Sequence, residues 1–294
     1  MKKTLAAGLI GLLVFTSPLQ AENALTAAET AAITTTTINQ LMTDLIRNGE
    51  ALDAGKMLAP LSDEPGAVFF TGGRPYFRPA LVSAMTQTYA GLKRMSITIS
   101  HSQVKVLGRD TAVWLGWGVG KTARKAGGTG EEALTETWIW QRIGRHWEVA
   151  HYHETIGAMP DTTMKEKVAT ALVRFAAELQ HVAPTADTAV AKLDAFLRRD
   201  SDVLGGSFAF APERGTKAVA HVYRHNGRFE RLTTPAGYDY TATEWYAKAI
   251  STGEPTWSAP YLDLTGTFVV TCSLRVLEAG SGKPIGVVTA DLAL

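Results

Sequence analysis

Four long β-type segments, 96–107, 111–122, 134–142 and 147–155, follow one another with connectors too short to carry a helical crossover. Gly108-Arg109-Asp110 and Ile143-Gly144-Arg145 have hairpin length, and 126–130 reads as a looser Gly-rich turn. Strands joined in this way pair antiparallel, because a parallel pair needs a connecting element between its strands. Ahead of them the pattern over 24–48 is helical, with Ile33, Ile38, Leu41, Leu45 and Ile46 near three- and four-residue spacings. A short strand over 67–71 is predicted next, and Gly72-Gly73-Arg74-Pro75 turns the chain into a second helix carrying Leu81, Met85 and Tyr89. Helices followed by an antiparallel meander make an α+β unit whose curved sheet wraps the helices.

Pro160-Asp161 ends that unit and a new amphipathic stretch opens with Val168, Leu172, Phe175, Ala176 and Leu179. Pro184 interrupts it, and Val190, Leu193, Phe196 and Leu197 restart the period, so the two pieces are separate helices and not a coiled coil. Short strands are predicted at 207–210, 219–224 and 228–232, then a helix bearing Trp245, Tyr246, Ala249 and Ile250. Longer strands follow at 267–277 and 285–292, joined by Gly280-Ser281-Gly282-Lys283. A chain of 294 residues fits two domains of ordinary size, read here as 22–160 and 161–294.

The first 21 residues read as a cleaved secretory signal: Lys2-Lys3, an apolar run over 5–15, Pro18, and Ala21 just before Glu22. The run is shorter than the ~20 residues a membrane-crossing helix needs. The expected location is therefore periplasmic or secreted. Cys272 is the sole cysteine, which excludes an internal disulfide and a several-cysteine metal site; its neighbours Val269, Val270 and Leu274 point to a core position. With a formal net charge of +1 and no extended basic cluster, the chain has no electrostatic footprint for nucleic acid.

Two resemblances sharpen this layout. The run Glu136-Thr137-Trp138-Ile139-Trp140-Gln141-Arg142 and the run Trp147-Glu148-Val149-Ala150-His151-Tyr152-His153-Glu154-Thr155 resemble the last two strands of the NTF2-like superfamily, in its SnoaL-like branch and in the association hub of calmodulin-dependent kinase. The resemblance covers about 27–157 and implies a cone of helices packed in a curved sheet. In the hub, arginines that line an acid-binding cavity stand where this chain has Trp138 and Glu154. A second pocket made by Trp138, Tyr152 and Glu154 would accordingly be neutral or cation-accepting. The resemblance also implies a homodimer, assigned here to the strands containing Trp114, Trp117 and Trp140.

Tyr238, Trp245-Tyr246, the run from Trp257 to Asp263, and Gly286-Val287-Val288-Thr289-Ala290-Asp291 are similar to the Cache family of PAS-like extracytoplasmic sensors, over about 165–294. That resemblance implies a long N-terminal helix, a central antiparallel sheet and a ligand pocket. In the amino-acid-binding branch an Arg and aromatic residues hold the carboxylate side of the ligand, and a late Asp meets its amino group. Carried over, the ligand residues are Tyr238, Trp245, Tyr246, Tyr261 and Asp291, with Asp263 as a turn former or pocket residue and Thr243 where the Arg should stand. A hydroxyl cannot replace a bidentate guanidinium. Of the candidate ligands (an amine, an amino acid or a small organic acid), an amine under the rings with Asp291 as counter-ion fits these residues best.

His151 and His153 alternate on one strand with no evident third metal ligand, and His101 and Tyr76 are candidate base and acid for a SnoaL-like cyclase or isomerase, with no Asp–His pairing visible beside them. No nucleophile elbow, P-loop, dinucleotide fingerprint or zinc-protease helix is present. No catalytic residue, metal set or cofactor is assigned. The sequence reads as a sensor-type small-molecule binding protein, with the first domain used for dimerisation or docking and a membrane-bound signalling protein as partner. The alternative is a SnoaL-type isomerase, cyclase or hydrolase-like enzyme with the sensor as accessory.

Overall fold

The computed structural model describes residues 26–181, 185–214, 218–235 and 237–294. The signal segment and Pro184 lie outside the described residues. The elements form an α+β fold with two sheets.

Helix α1 (Ala27–Glu50) starts at a capping box in which Thr26 and Glu29 satisfy each other's backbone groups. Its buried stripe of Thr34, Ile38, Met42, Leu45 and Gly49 faces the first sheet. The short helix α2 (Ala54–Met57) follows, then β1 (Phe69–Thr71), β2 (Arg74–Tyr76) and α3 (Arg78–Ala90). Here the sequence expectation needs correction. Gly72 and Gly73, both at positive φ, do not lead into a helix but close a tight hairpin between β1 and β2, and α3 starts only at Arg78-Pro79.

The meander runs through β3 (Leu92–Val106), β4 (Thr111–Arg124), β5 (Thr129–Ile143) and β6 (His146–Ala158). The sheet order is β2-β1-β6-β5-β4-β3, with β1 parallel to β6 and the other pairs antiparallel. Residues of even number on β4 point inward, so Trp114, paired with Trp138 and through it with Tyr152, belongs to the core beneath α1 and α3. Trp114 and Trp140 are 2% and 0% exposed. Both belong to the inner face of their strands; of the three tryptophans on the strands assigned to the dimer, only Trp117 looks outward.

Gly116 and Gly118 flank Trp117, and the ladder between β3 and β4 shifts register between Ile99 and His101. A Cβ on Gly118 would lie far inside contact distance of the Thr98 carbonyl oxygen. Gly118→Ala is expected to destabilise the first sheet by about 2–4 kcal/mol. Urea denaturation followed by tryptophan fluorescence measures this.

The second half begins with α4 (Thr162–Gln180), capped by Asp161, whose side chain accepts from the Met164 N–H at 2.8 Å, and α5 (Ala186–Arg199). Phe175 and Phe196 stack at 4.7 Å and join these two helices. Strands β7 (Gly205–Phe210), β8 (Val219–His225) and β9 (Arg228–Arg231) precede α6 (Glu244–Thr252). After it come two-residue strands β10 (Thr256–Trp257) and β11 (Tyr261–Leu262), then β12 (Phe268–Leu277) and β13 (Pro284–Ala293). The order is β10-β12-β13-β7-β8-β9, with β11 also on β12. Eight of the ten residues of β13 are buried because α4 covers one face of the sheet and α6 the other. Cys272 is buried at 0% exposure, and burial pushes its thiol up to about 12. No helix among the described residues is long and apolar enough to cross a membrane.

Candidate functional site

The polar centre of the second sheet lies on the face covered by α6. Asp291 on β13 stands opposite Thr271 on β12, and both are almost fully buried. Thr271 Oγ1 donates to Asp291 Oδ1 at 2.6 Å. The Tyr261 hydroxyl lies 2.8 Å from the same Oγ1. With Asp291 ionised, Thr271 gives its one proton to the carboxylate, so Tyr261 donates to Thr271. On the neighbouring strands, Ser207 Oγ is 2.7 Å from His221 Nδ1, and the Ser207 N–H donates to Thr289 Oγ1 at 2.9 Å. His221 Nε2 is buried and has no hydrogen-bond partner among the described residues. A buried ring nitrogen left open in this way is a place for a ligand or water to bind.

Asp291, Tyr261, Ser207, His221 and Thr289 line one pocket of about 30 Å³ with Tyr238, Trp245 and Asp263. That is room for a single water or one ammonium group. Tyr238, Trp245, Tyr261, Asp263 and Leu264 also line an adjoining chamber of about 370 Å³. Together they form a narrow polar head-site beside a wider, ring-lined space.

Burial sets the electrostatics. It pushes the Asp291 carboxyl up to about 7, opposed by the Thr271 hydrogen bond and reinforced by the charge of Asp263. It also holds His221 below the usual imidazole range, and raises Tyr261, where the Asp291 charge adds to the effect. The site is therefore short of positive charge and has one carboxylate poised to ionise near neutrality.

Of the residues singled out in the sequence, Tyr238, Trp245, Tyr261, Asp263 and Asp291 come together here. Asp263 Oδ1 accepts from the Thr265 and Thr267 N–H groups at 2.8 and 2.9 Å, so its carboxylate also fixes its own loop. Thr243 lines only the outer chamber, and its hydroxyl donates to the Tyr240 carbonyl at 2.6 Å. Tyr246 lies outside both spaces, packed with Ala209, Tyr240 and Val287 in a satellite core. Ser207, His221, Thr271 and Thr289 were missed. Their signal was a polar residue inside an otherwise buried strand.

The first sheet holds a second cavity, of about 670 Å³, with Glu136 and Glu154 at its floor and Arg74 and Arg124 among its lining. The two glutamates are directly paired across β5 and β6. Trp138 Nε1 donates to Glu136 at 2.8 Å, and the Thr71 hydroxyl donates to Glu154. Both carboxylates keep some accessible surface because the cavity reaches them. Burial, with the charge of Glu154 adding to it, pushes Glu136 up to about 8; Glu154 is raised as well, chiefly by burial. Trp138 and Tyr152 do not line the cavity; their rings pack 4.0 Å apart beneath it. His101 and Tyr76 are not partners: Tyr76 lines this cavity, whereas His101 is on the other face of the sheet, against Trp117. His151 and His153 flank the Phe70 ring at 5.9 and 5.8 Å. Among the described residues no three His, Cys, Asp or Glu side chains are placed to hold a metal ion.

Comparison with known proteins bears on the half that carries Asp291. Residues 190–294 match the family model of the methyl-accepting chemotaxis protein-like first PDC sensor domain. A second match is to the methyl-accepting chemotaxis protein McpA of Pseudomonas putida, 36% identical over 72 residues. The match takes in 24% of this chain and 11% of McpA, so the chain spans about a tenth of that curated relative's length. Among solved structures, the ligand-binding domain of the Campylobacter jejuni chemoreceptor Tlp3, in complex with 4-methylisoleucine, aligns at 16% identity and a TM-score of 0.37. The alignment covers 45% of this chain and 52% of that one. An NTF2-like superfamily protein from Salmonella enterica serovar Typhimurium aligns at 14% identity and a TM-score of 0.41, covering 45% of this chain and 96% of that one.

Proposed function

We propose that this protein is a periplasmic or secreted small-molecule sensor that captures an amine in the sensor region, with Asp291 as counter-ion to the ammonium group. The observation that carries this reading is the buried Asp291 carboxylate at the end of a pocket the size of an ammonium group, beneath Tyr238, Trp245 and Tyr261. A cation leaving water needs its charge paired and its apolar body covered, and these residues supply both. No Lys or Arg lines the pocket or the chamber among the described residues, so the carboxylate of an α-amino acid or an organic acid finds no clamp. A signalling partner, in the manner of chemoreceptor sensors, reads occupancy.

Binding should be linked to protons. The cation needs Asp291 ionised, and burial holds that group near 7, so affinity rises about tenfold per pH unit up to about 7 and then levels off. The groups facing Asp291 do not reverse the sign. Burial pushes His221 toward its neutral form, burial also raises Tyr238, Tyr261 and Cys272 so that they keep their protons, and the carboxylate of Asp263 adds to the attraction. Titration calorimetry of ethylamine at pH 6, in two buffers of different ionisation enthalpy, should show release of nearly one proton per amine bound. Proton uptake on binding would contradict the assignment.

A second reading, acid–base catalysis in the first domain, is favoured by one observation only: two facing glutamates that share a cavity floor.

A further inference from the structure

The ring-lined chamber beside Asp291 is not closed by the sensor region alone. Its far wall comes from the first sheet, where His101 and Trp117 reach it from β3 and β4. The two side chains are cross-strand neighbours, stacked at 4.3 Å with only 20° between their planes. Nothing in the hydrophobic core of the first domain explains this pair: it lies on the face away from α1 and α3, and His101 is exposed. The register shift beside His101 gives the sheet an irregular outer surface at this point, the kind of bulge that re-aims a side chain. Opposite the stacked pair stand Tyr238, Trp245, Tyr261 and Leu264, of which Leu264 is 39% exposed at the chamber's edge.

The head-site holds one ammonium-sized group, so any larger ligand anchored there must extend its body into the chamber and meet this wall. We propose that the His101–Trp117 platform of the first domain completes the ligand site and selects amines with a flat, apolar tail, so that an arylalkylamine is held between the two domains. Sites formed at domain junctions are common because neither half need be concave alone. The first domain thereby senses the ligand directly: removing the tail removes its contact, while the ammonium contact at Asp291 remains. This inference rests on amine capture at Asp291, and two amines separate the ideas. Ethylamine fills the head-site alone; 2-phenylethylamine adds an aromatic ring.

The test is titration calorimetry on the full protein with both amines, in the wild type, His101→Ala, Trp117→Ala and Asp291→Asn. His101 is exposed, so its replacement leaves the fold intact if Trp117→Ala does not. The platform predicts that His101→Ala and Trp117→Ala each weaken 2-phenylethylamine about tenfold, in line with the loss of one stacking contact, and change ethylamine less than twofold. Unchanged 2-phenylethylamine binding in His101→Ala, with Asp291→Asn still abolishing it, overturns the platform and leaves amine capture standing. Binding of both amines that is indifferent to Asp291→Asn overturns amine capture itself, and the platform with it.

Discussion

Asp291→Asn is expected to weaken amine binding by about 30-fold to several thousand-fold, the range for removing one partner of a buried charge pair. The same substitution should raise the melting temperature of the ligand-free protein at pH 8. The sign follows from burial. Folding lifts the carboxyl from its ordinary 3.8 to about 7, so the folded state holds its proton more tightly than the unfolded one, and stability falls as pH rises across that window. Asparagine keeps an oxygen for the Thr271 hydroxyl and removes the charge. Loss of function together with a gain in stability marks a group kept for binding and not for packing. Calorimetry and differential scanning fluorimetry on one preparation give both readouts.

The second large effect is in the first sheet. Glu136→Gln should raise the melting temperature of the protein by roughly 5–10 °C at pH 8 and leave it nearly unchanged at pH 4.5. Burial and the facing Glu154 move Glu136 from 4.5 to about 8, so the wild-type protein loses stability as pH rises between those values. The amide still accepts the Trp138 N–H. Melting curves across pH 4.5–8.5 measure the difference between the two proteins. A parallel pair of curves would place Glu136 in ordinary solvent and remove the cavity's claim to acid–base chemistry.

The sequence carried the large elements because their signals are periodic. Buried residues of β4 alternate with partly exposed ones from Thr111 to Gly118, and the stripe Val168, Leu172, Phe175, Ala176 and Leu179 marks α4 without ambiguity. Strands β2, β10 and β11 are two or three residues long and leave no period to read. Gly72-Gly73 reads in sequence only as a turn, and the positive φ at both positions makes it a hairpin turn and not a helix lead-in.

The site was legible where residue type alone suffices. An acid in an apolar strand identified Asp291, and a cluster of rings suggested its neighbours. What one strand shows to another was not legible. Thr271 reaches Asp291 by register across β12 and β13, Ser207 meets His221 across β7 and β8, and Glu136 faces Glu154 across β5 and β6. None of these pairs has a sequence spacing that signals it. Trp117 illustrates the same limit: Trp114 and Trp140 are core, and only the pleat turns Trp117 to the opposite face, where it lines the chamber shared with the second sheet.

The most direct measurement is a thermal-shift panel of amines, α-amino acids, carboxylates and purines on the protein beginning at Glu22, in wild-type and Asp291→Asn forms at pH 8. A ligand that binds only the folded state raises its melting temperature. Amine capture predicts shifts with amines alone, absent from Asp291→Asn. A shift with a carboxylate, or an amine shift that survives in Asp291→Asn, would contradict it.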